Sequence, residues 1–66
     1  MLGLVTRVQY MKNRRNRSYG FIDGYDGQSY WFSLRGNEDI MPDTEVTFKR
    51  GRNEKGLVAT EVNRVS

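Results

Sequence analysis

From Thr44 to Lys49 apolar and polar side chains alternate, with Val46 and Phe48 in one phase and Glu45 and Thr47 in the other. A period of two sends successive side chains to opposite faces of a strand, so this stretch predicts a strand with Val46 and Phe48 inward. The same period recurs in four other stretches. Leu2 to Met11 carries apolar residues in both phases (Leu2, Leu4, Val8 and Tyr10 against Val5 and Met11), as a strand that bends or bulges would. Arg17 to Ile22 places Tyr19 and Phe21 on one face and Gly20 and Ile22 on the other. Ser29 to Leu34 places Tyr30 and Phe32 on one face and Trp31 and Ser33 on the other; one set lines the core, and alternation alone does not choose which. Leu57 to Val65 has Leu57, Ala59 and Val62 for an inner side and Thr60, Glu61, Asn63 and Arg64 for a polar one.

Turn chemistry separates these stretches. Asp26-Gly27, within Asp23-Gly24-Tyr25-Asp26-Gly27, is a strong hairpin signal. A calcium loop would need oxygen ligands at alternate positions and a distal Glu, which this stretch lacks. Arg35 to Asp43 reads as a connection, with Ile40 and Met41 tucked beneath the sheet and Pro42-Asp43 turning into the fourth strand. Gly20, without a side chain, lets a backbone or a ligand approach closely. Five short strands, frequent turns, no helical period and no repeat predict one all-β domain over residues 1–66, a small five-stranded antiparallel barrel.

Composition narrows the function classes. A chain of 66 residues buries only about 60% of the surface its unfolded form exposes, so its core is thin. There is no Cys and no His. That removes disulfides, thiolate metal sites and the commonest general base and metal ligand. The carboxylates Asp23, Asp26, Glu38, Asp39 and Glu54 fall in apparent turns, where they shape backbone. No enzyme activity and no cofactor are expected. No apolar run approaches the roughly 20 residues of a membrane span, and the N-terminus is interrupted by Arg7 too soon for a signal peptide. A cytoplasmic protein is expected.

The 11 Lys and Arg exceed the 8 Asp and Glu only modestly, but they are clustered. Lys12-Asn13-Arg14-Arg15-Asn16-Arg17 holds four basic residues and no acidic one, and predicts an exposed loop able to hold phosphates. Lys49-Arg50-Gly51-Arg52-Asn53-Glu54-Lys55-Gly56 reads as a second basic loop. Aromatic strands beside cationic loops suit single-stranded nucleic acid, because rings stack on bases and cations meet phosphates.

With the strands in place, the chain resembles the cold-shock domain family of OB-fold barrels. Tyr19-Gly20-Phe21-Ile22 matches the last four positions of that family's first ribonucleoprotein motif, with Arg17 and Ser18 at the two preceding positions. Tyr30-Trp31-Phe32-Ser33 stands where the second motif belongs, with Ser33 replacing a histidine. Gly3-Leu4-Val5, Val46-Thr47-Phe48 and Lys55 to Val62 resemble the family's first, fourth and fifth strands. Two registers fit the first strand. In one, the family's lysine-tryptophan-phenylalanine falls on Thr6, Arg7 and Val8; in the other, Tyr10 takes the tryptophan's place. In the first, Tyr10 still borders the platform.

The resemblance implies that Tyr19, Phe21 and Trp31 stack on bases while Tyr30 and Phe32 are core. The expected function is binding of single-stranded RNA or DNA, as an RNA chaperone or a regulator of transcription or translation. The expected interface comprises Tyr10, Lys12, Arg14, Arg15, Arg17, Tyr19, Phe21, Trp31, Ser33, Arg35, Arg50, Arg52 and Lys55, with Lys49 beside it. The competing expectation is a protein-interaction barrel that uses the exposed aromatic face, and a third is duplex binding through the basic loops alone. A monomer or weak dimer is expected, with no membrane partner.

Overall fold

The computed structural model describes residues 1–10, 18–35 and 39–65. Its strands are β1 (Leu2–Gln9), β2 (Tyr19–Gly24), β3 (Ser29–Ser33), β4 (Glu45–Asn53) and β5 (Gly56–Arg64). They form one sheet in the order β1-β2-β3-β5-β4, and antiparallel pairing of β1 with β4 closes it. Neighbouring strands are antiparallel except β3 and β5, which run parallel and meet at Trp31 and Val58. The expectation of antiparallel pairing throughout is corrected there. β3 and β5 are not joined by a hairpin, so their relative direction is free of the antiparallel constraint that a tight turn imposes.

Inside the closed sheet lie Val5, Ile22, Tyr30, Phe32, Leu34, Ile40, Val46, Phe48, Ala59 and Val62. Burying each large side chain contributes roughly 1.5–3 kcal/mol, which offsets the ordering of so short a chain. The choice left open in the third strand is made here: Tyr30 and Phe32 are buried, and Trp31 faces out. Tyr30 packs on Phe48 with ring centroids 4.9 Å apart and planes tilted by 56°. Val46 and Phe48 point inward as their alternation requires.

Two irregularities reset the alternation. In β1, Val5 pairs with Ile22 and Arg7 with Phe21, so Thr6 is an extra residue. Without it Val5 and Arg7 would share a face; with it Val5 enters the core and Arg7 faces out. This is why Val5 and Val8, three positions apart, both turn toward the core, while Leu2, in the outer phase before the bulge, stays exposed. In β5, Glu61 has a φ of 52° and lies between Thr60, which pairs with Lys49, and Asn63, which pairs with Thr47. Ala59 and Val62 are therefore both buried although three positions apart.

Gly20 is a tight point of the β1–β2 contact. A Cβ there would lie 2.6 Å from the Arg7 carbonyl oxygen and 2.7 Å from the Phe32 ring. The close neighbours that Gly20 admits are thus β1 backbone and a core ring.

Two further expectations are corrected. Met41 is not tucked beneath the sheet but is 61% exposed; only Ile40 of that pair is buried. Lys49 to Asn53 is not loop but the second half of β4, paired residue by residue with β5 down to Asn53 and Gly56. Strand hydrogen bonds come from the backbone, so basic side chains do not prevent them. The turn is only Glu54 and Lys55, held by Asn53 Oδ1, which accepts from the Lys55 N–H at 2.9 Å and the Gly56 N–H at 3.2 Å. At the other hairpin Asp26-Gly27 forms the turn as its sequence predicts, with Gly27 at a φ of 85°.

Candidate nucleic-acid interface

Alternation in β2 and β3 carries Tyr19, Phe21 and Trp31 to the outer face, while Gly20, Ile22, Tyr30 and Phe32 fill the inner one. Phe21 pairs directly with Trp31, and Tyr19 with Ser33. Trp31 is 39% exposed, and Tyr19 and Phe21 are half-buried against one another. The Tyr19 and Trp31 rings lie within 24° of parallel, centroids 6.2 Å apart. Phe21 stands at 89° to Tyr19, 6.0 Å away. Two rings therefore offer similar planes, and the third stands across Tyr19.

Strand β1 completes this face with residues that the sequence pattern did not single out. Arg7 pairs with Phe21 and Gln9 with Tyr19, and cross-strand partners share a face. Arg7, not Tyr10, is the neighbour of Phe21. Tyr10 is exposed and follows the last paired residue of β1, in the phase opposite to Arg7 and Gln9. Of the two registers open for the first strand, the one that sets Arg7 at the tryptophan position points to this residue, while the pair of apolar phases marks a bulge without marking its place.

Beyond Trp31 the row continues to Val58 of β5 and Gly51 of β4. Here a cleft of about 550 Å³ opens, with Phe21, Trp31 and Val58 on one side and the Asn53–Gly56 hairpin on the other. The hairpin thus brings Lys55 to the platform's edge. Ser33, half-buried, accepts a 3.2 Å hydrogen bond from the Arg35 N–H, and Arg35 is exposed at the end of β3.

The remaining cations divide. Arg50 and Arg52 pair with Ala59 and Leu57, so they take the phase opposite to Val58 and Trp31. Arg50 lies 3.6 Å from Asp26 Oδ2, at the end of the sheet where the Tyr30 hydroxyl also meets that carboxylate. The platform expectation for Arg50 and Arg52 is corrected accordingly: the strand that replaces the expected loop turns them away. Lys49 shares the outer phase but stands 4.0 Å from Glu61, an exposed contact worth little in water. Lys12, Arg14, Arg15 and Arg17 lie outside the described residues.

Among the described residues, no group of three or more acidic, His or Cys side chains could hold a metal ion. No helix among them is long and apolar enough to cross a membrane. Compared with protein-family models, curated proteins and solved structures, the chain matches none.

Proposed function

We propose that this chain is a single-stranded nucleic-acid-binding module of the OB-fold, cold-shock type. The observation that carries the reading is the grouping of Tyr19, Phe21 and Trp31 on the outer face of a sheet whose inner face already has a filled core. Aromatic side chains left on the surface of a chain this small, which has few large apolar residues to spare, suit a role in stacking. The strand order β1-β2-β3-β5-β4 supports an OB-type barrel, in which the face of strands 2 and 3 and the loops after strands 1 and 4 bind oligonucleotides. The cleft between Trp31 and the β4–β5 hairpin, and the basic run between β1 and β2, fall at those two places in the chain.

In this mechanism bases stack on the near-parallel Tyr19 and Trp31 rings, and Phe21 supports a base from the side. Lys55, Arg35 and the basic run at 12–17 meet phosphates. Stacking recognises a ring face that every base has, so any general sequence preference from it is weak. RNA chaperoning or regulation of transcription or translation are the biological roles such a module would serve.

The test is a titration with a short single-stranded oligonucleotide, as RNA and as DNA, following Trp31 fluorescence at two salt concentrations. Quenching that weakens with salt and with Phe21→Ala supports the module. No binding at low salt by folded protein refutes it and turns the aromatic face into a protein-docking surface. Binding that ignores Phe21 and Trp31 yet collapses with salt assigns the interaction to the basic segments alone.

A further inference from the structure

The outer row across the sheet reads Arg7, Phe21, Trp31, Val58 from β1 to β5, and the row beside it reads Gln9, Tyr19, Ser33. One flank of the rings is therefore polar and the other, at Val58, is apolar. The polar flank is made of two side chains with forked hydrogen-bonding ends. Arg presents parallel N–H donors that match O6 and N7 of guanine, and Gln presents a donor and an acceptor that match N6 and N7 of adenine.

Both side chains are exposed, and neither has a hydrogen-bond or ion-pair partner among the described residues. Among the described residues they also stand at an unpaired edge, because β1 pairs with β4 only through Leu2 to Leu4. Arg7 and Gln9 are two residues apart on one strand, hence about 7 Å. That is wider than the roughly 3.4 Å between stacked bases, so the two forks suit neighbouring bases splayed over a platform.

We infer that β1 makes this platform purine-selective: Arg7 reads the N7 edge of a guanine lodged at Phe21, and Gln9 reads the N7 edge of an adjacent adenine lodged at Tyr19. The inference rests on the single-strand reading above and adds the ligand class, strands containing a guanine–adenine step in either order. Stacking alone would not discriminate bases; the forks do so from the side, where a base in contact with the rings presents its edge.

The experiment compares a short oligothymidine with the same strand carrying a central guanine–adenine or adenine–guanine step, and with versions in which 7-deazapurines replace the purines. The expected result for the unaltered protein is about tenfold tighter binding of at least one purine-containing strand, reduced to the oligothymidine level by 7-deaza substitution. Arg7→Lys keeps the charge and loses the fork. It should remove the guanine part of the preference and leave oligothymidine binding and its salt dependence within about twofold. Gln9→Ala should remove the adenine part. The 7-deaza strands test the same contact on unaltered protein, so a variant that folds poorly does not decide the matter. Equal affinity for all strands overturns the inference while leaving stacking intact. So does an Arg7→Gln variant that weakens every strand alike and lowers the salt slope, which marks a phosphate contact. No binding of oligothymidine at low salt overturns the single-strand reading and this inference with it.

Discussion

The Tyr30 hydroxyl, at the end of a buried ring, donates a 2.5 Å hydrogen bond to Asp26 Oδ2 in the β2–β3 turn. Asp26 Oδ1 accepts from the Gln28 N–H at 3.2 Å, and Arg50 approaches Oδ2 from β4. One carboxylate thus ties the core, the turn and a strand on the opposite side of the sheet.

This tie predicts stability limits at both ends of the pH scale. The Tyr30 hydrogen bond above all, aided by Gln28 and Arg50, holds the Asp26 carboxyl below the usual carboxylate range, although desolvation opposes it. A depressed carboxyl contributes stability that is present above its unfolded value of about 3.9 and is lost as pH falls toward the folded one. The same bond raises the Tyr30 hydroxyl, with burial and the Asp26 charge adding and Arg50 opposing. Its contribution is present below about pH 10 and is lost as pH rises through the raised value. Urea midpoints measured across pH should fall at both limbs. Asp26→Asn should flatten the acid limb and lower stability at neutral pH, and an unchanged acid limb would show that Asp26 does not act this way.

Gly20→Ala should destabilise the fold without touching the outer face. The new methyl meets the Arg7 carbonyl and the Phe32 ring inside van der Waals distance. Overpacking of this kind typically costs about 1–3 kcal/mol. Equilibrium urea unfolding measures it, and an unchanged midpoint would mean that β1 yields freely at its bulge.

Phe21→Ala and Trp31→Ala should separate binding from folding. Both side chains lie outside the core, so thermal unfolding should shift less than for the core substitution Phe48→Ala, which should cost about 3–5 kcal/mol. Removing the ring beneath one stacked base should weaken single-strand binding by about 1–3 kcal/mol. The check is a calorimetric titration beside a thermal melt for each variant.

Charge substitutions should sort the cations by their places. Replacing Lys12, Arg14, Arg15 and Arg17 with Gln should lower the slope of log affinity against log salt by about 0.7 for each phosphate that is no longer neutralised. Arg50→Gln should leave that slope unchanged, because its side chain serves Asp26 at the sheet's end. A slope that fell equally for Arg50→Gln would place a phosphate beside Asp26.

Three features of the fold are legible in short stretches of residues alone. Alternation over Thr44 to Lys49 put Val46 and Phe48 inside, Asp26-Gly27 marked its hairpin, and Tyr19 and Phe21 had to share a face. These follow from the two-residue period of a strand and from glycine's access to positive φ, which neighbouring residues settle among themselves. Phase and partnership, by contrast, come from the assembled sheet. Trp31 faces out because Phe21 across from it does, and Arg7 joins them because Thr6 is an extra residue against β2. β4 runs on through Lys49 to Asn53 because β5 supplies backbone partners to residues whose side chains read as loop, and the same pairing turns Arg50 toward Asp26. A bulge or a long-range pairing is a hydrogen-bonding choice between segments far apart in the chain, and side-chain pattern within one segment carries only its trace.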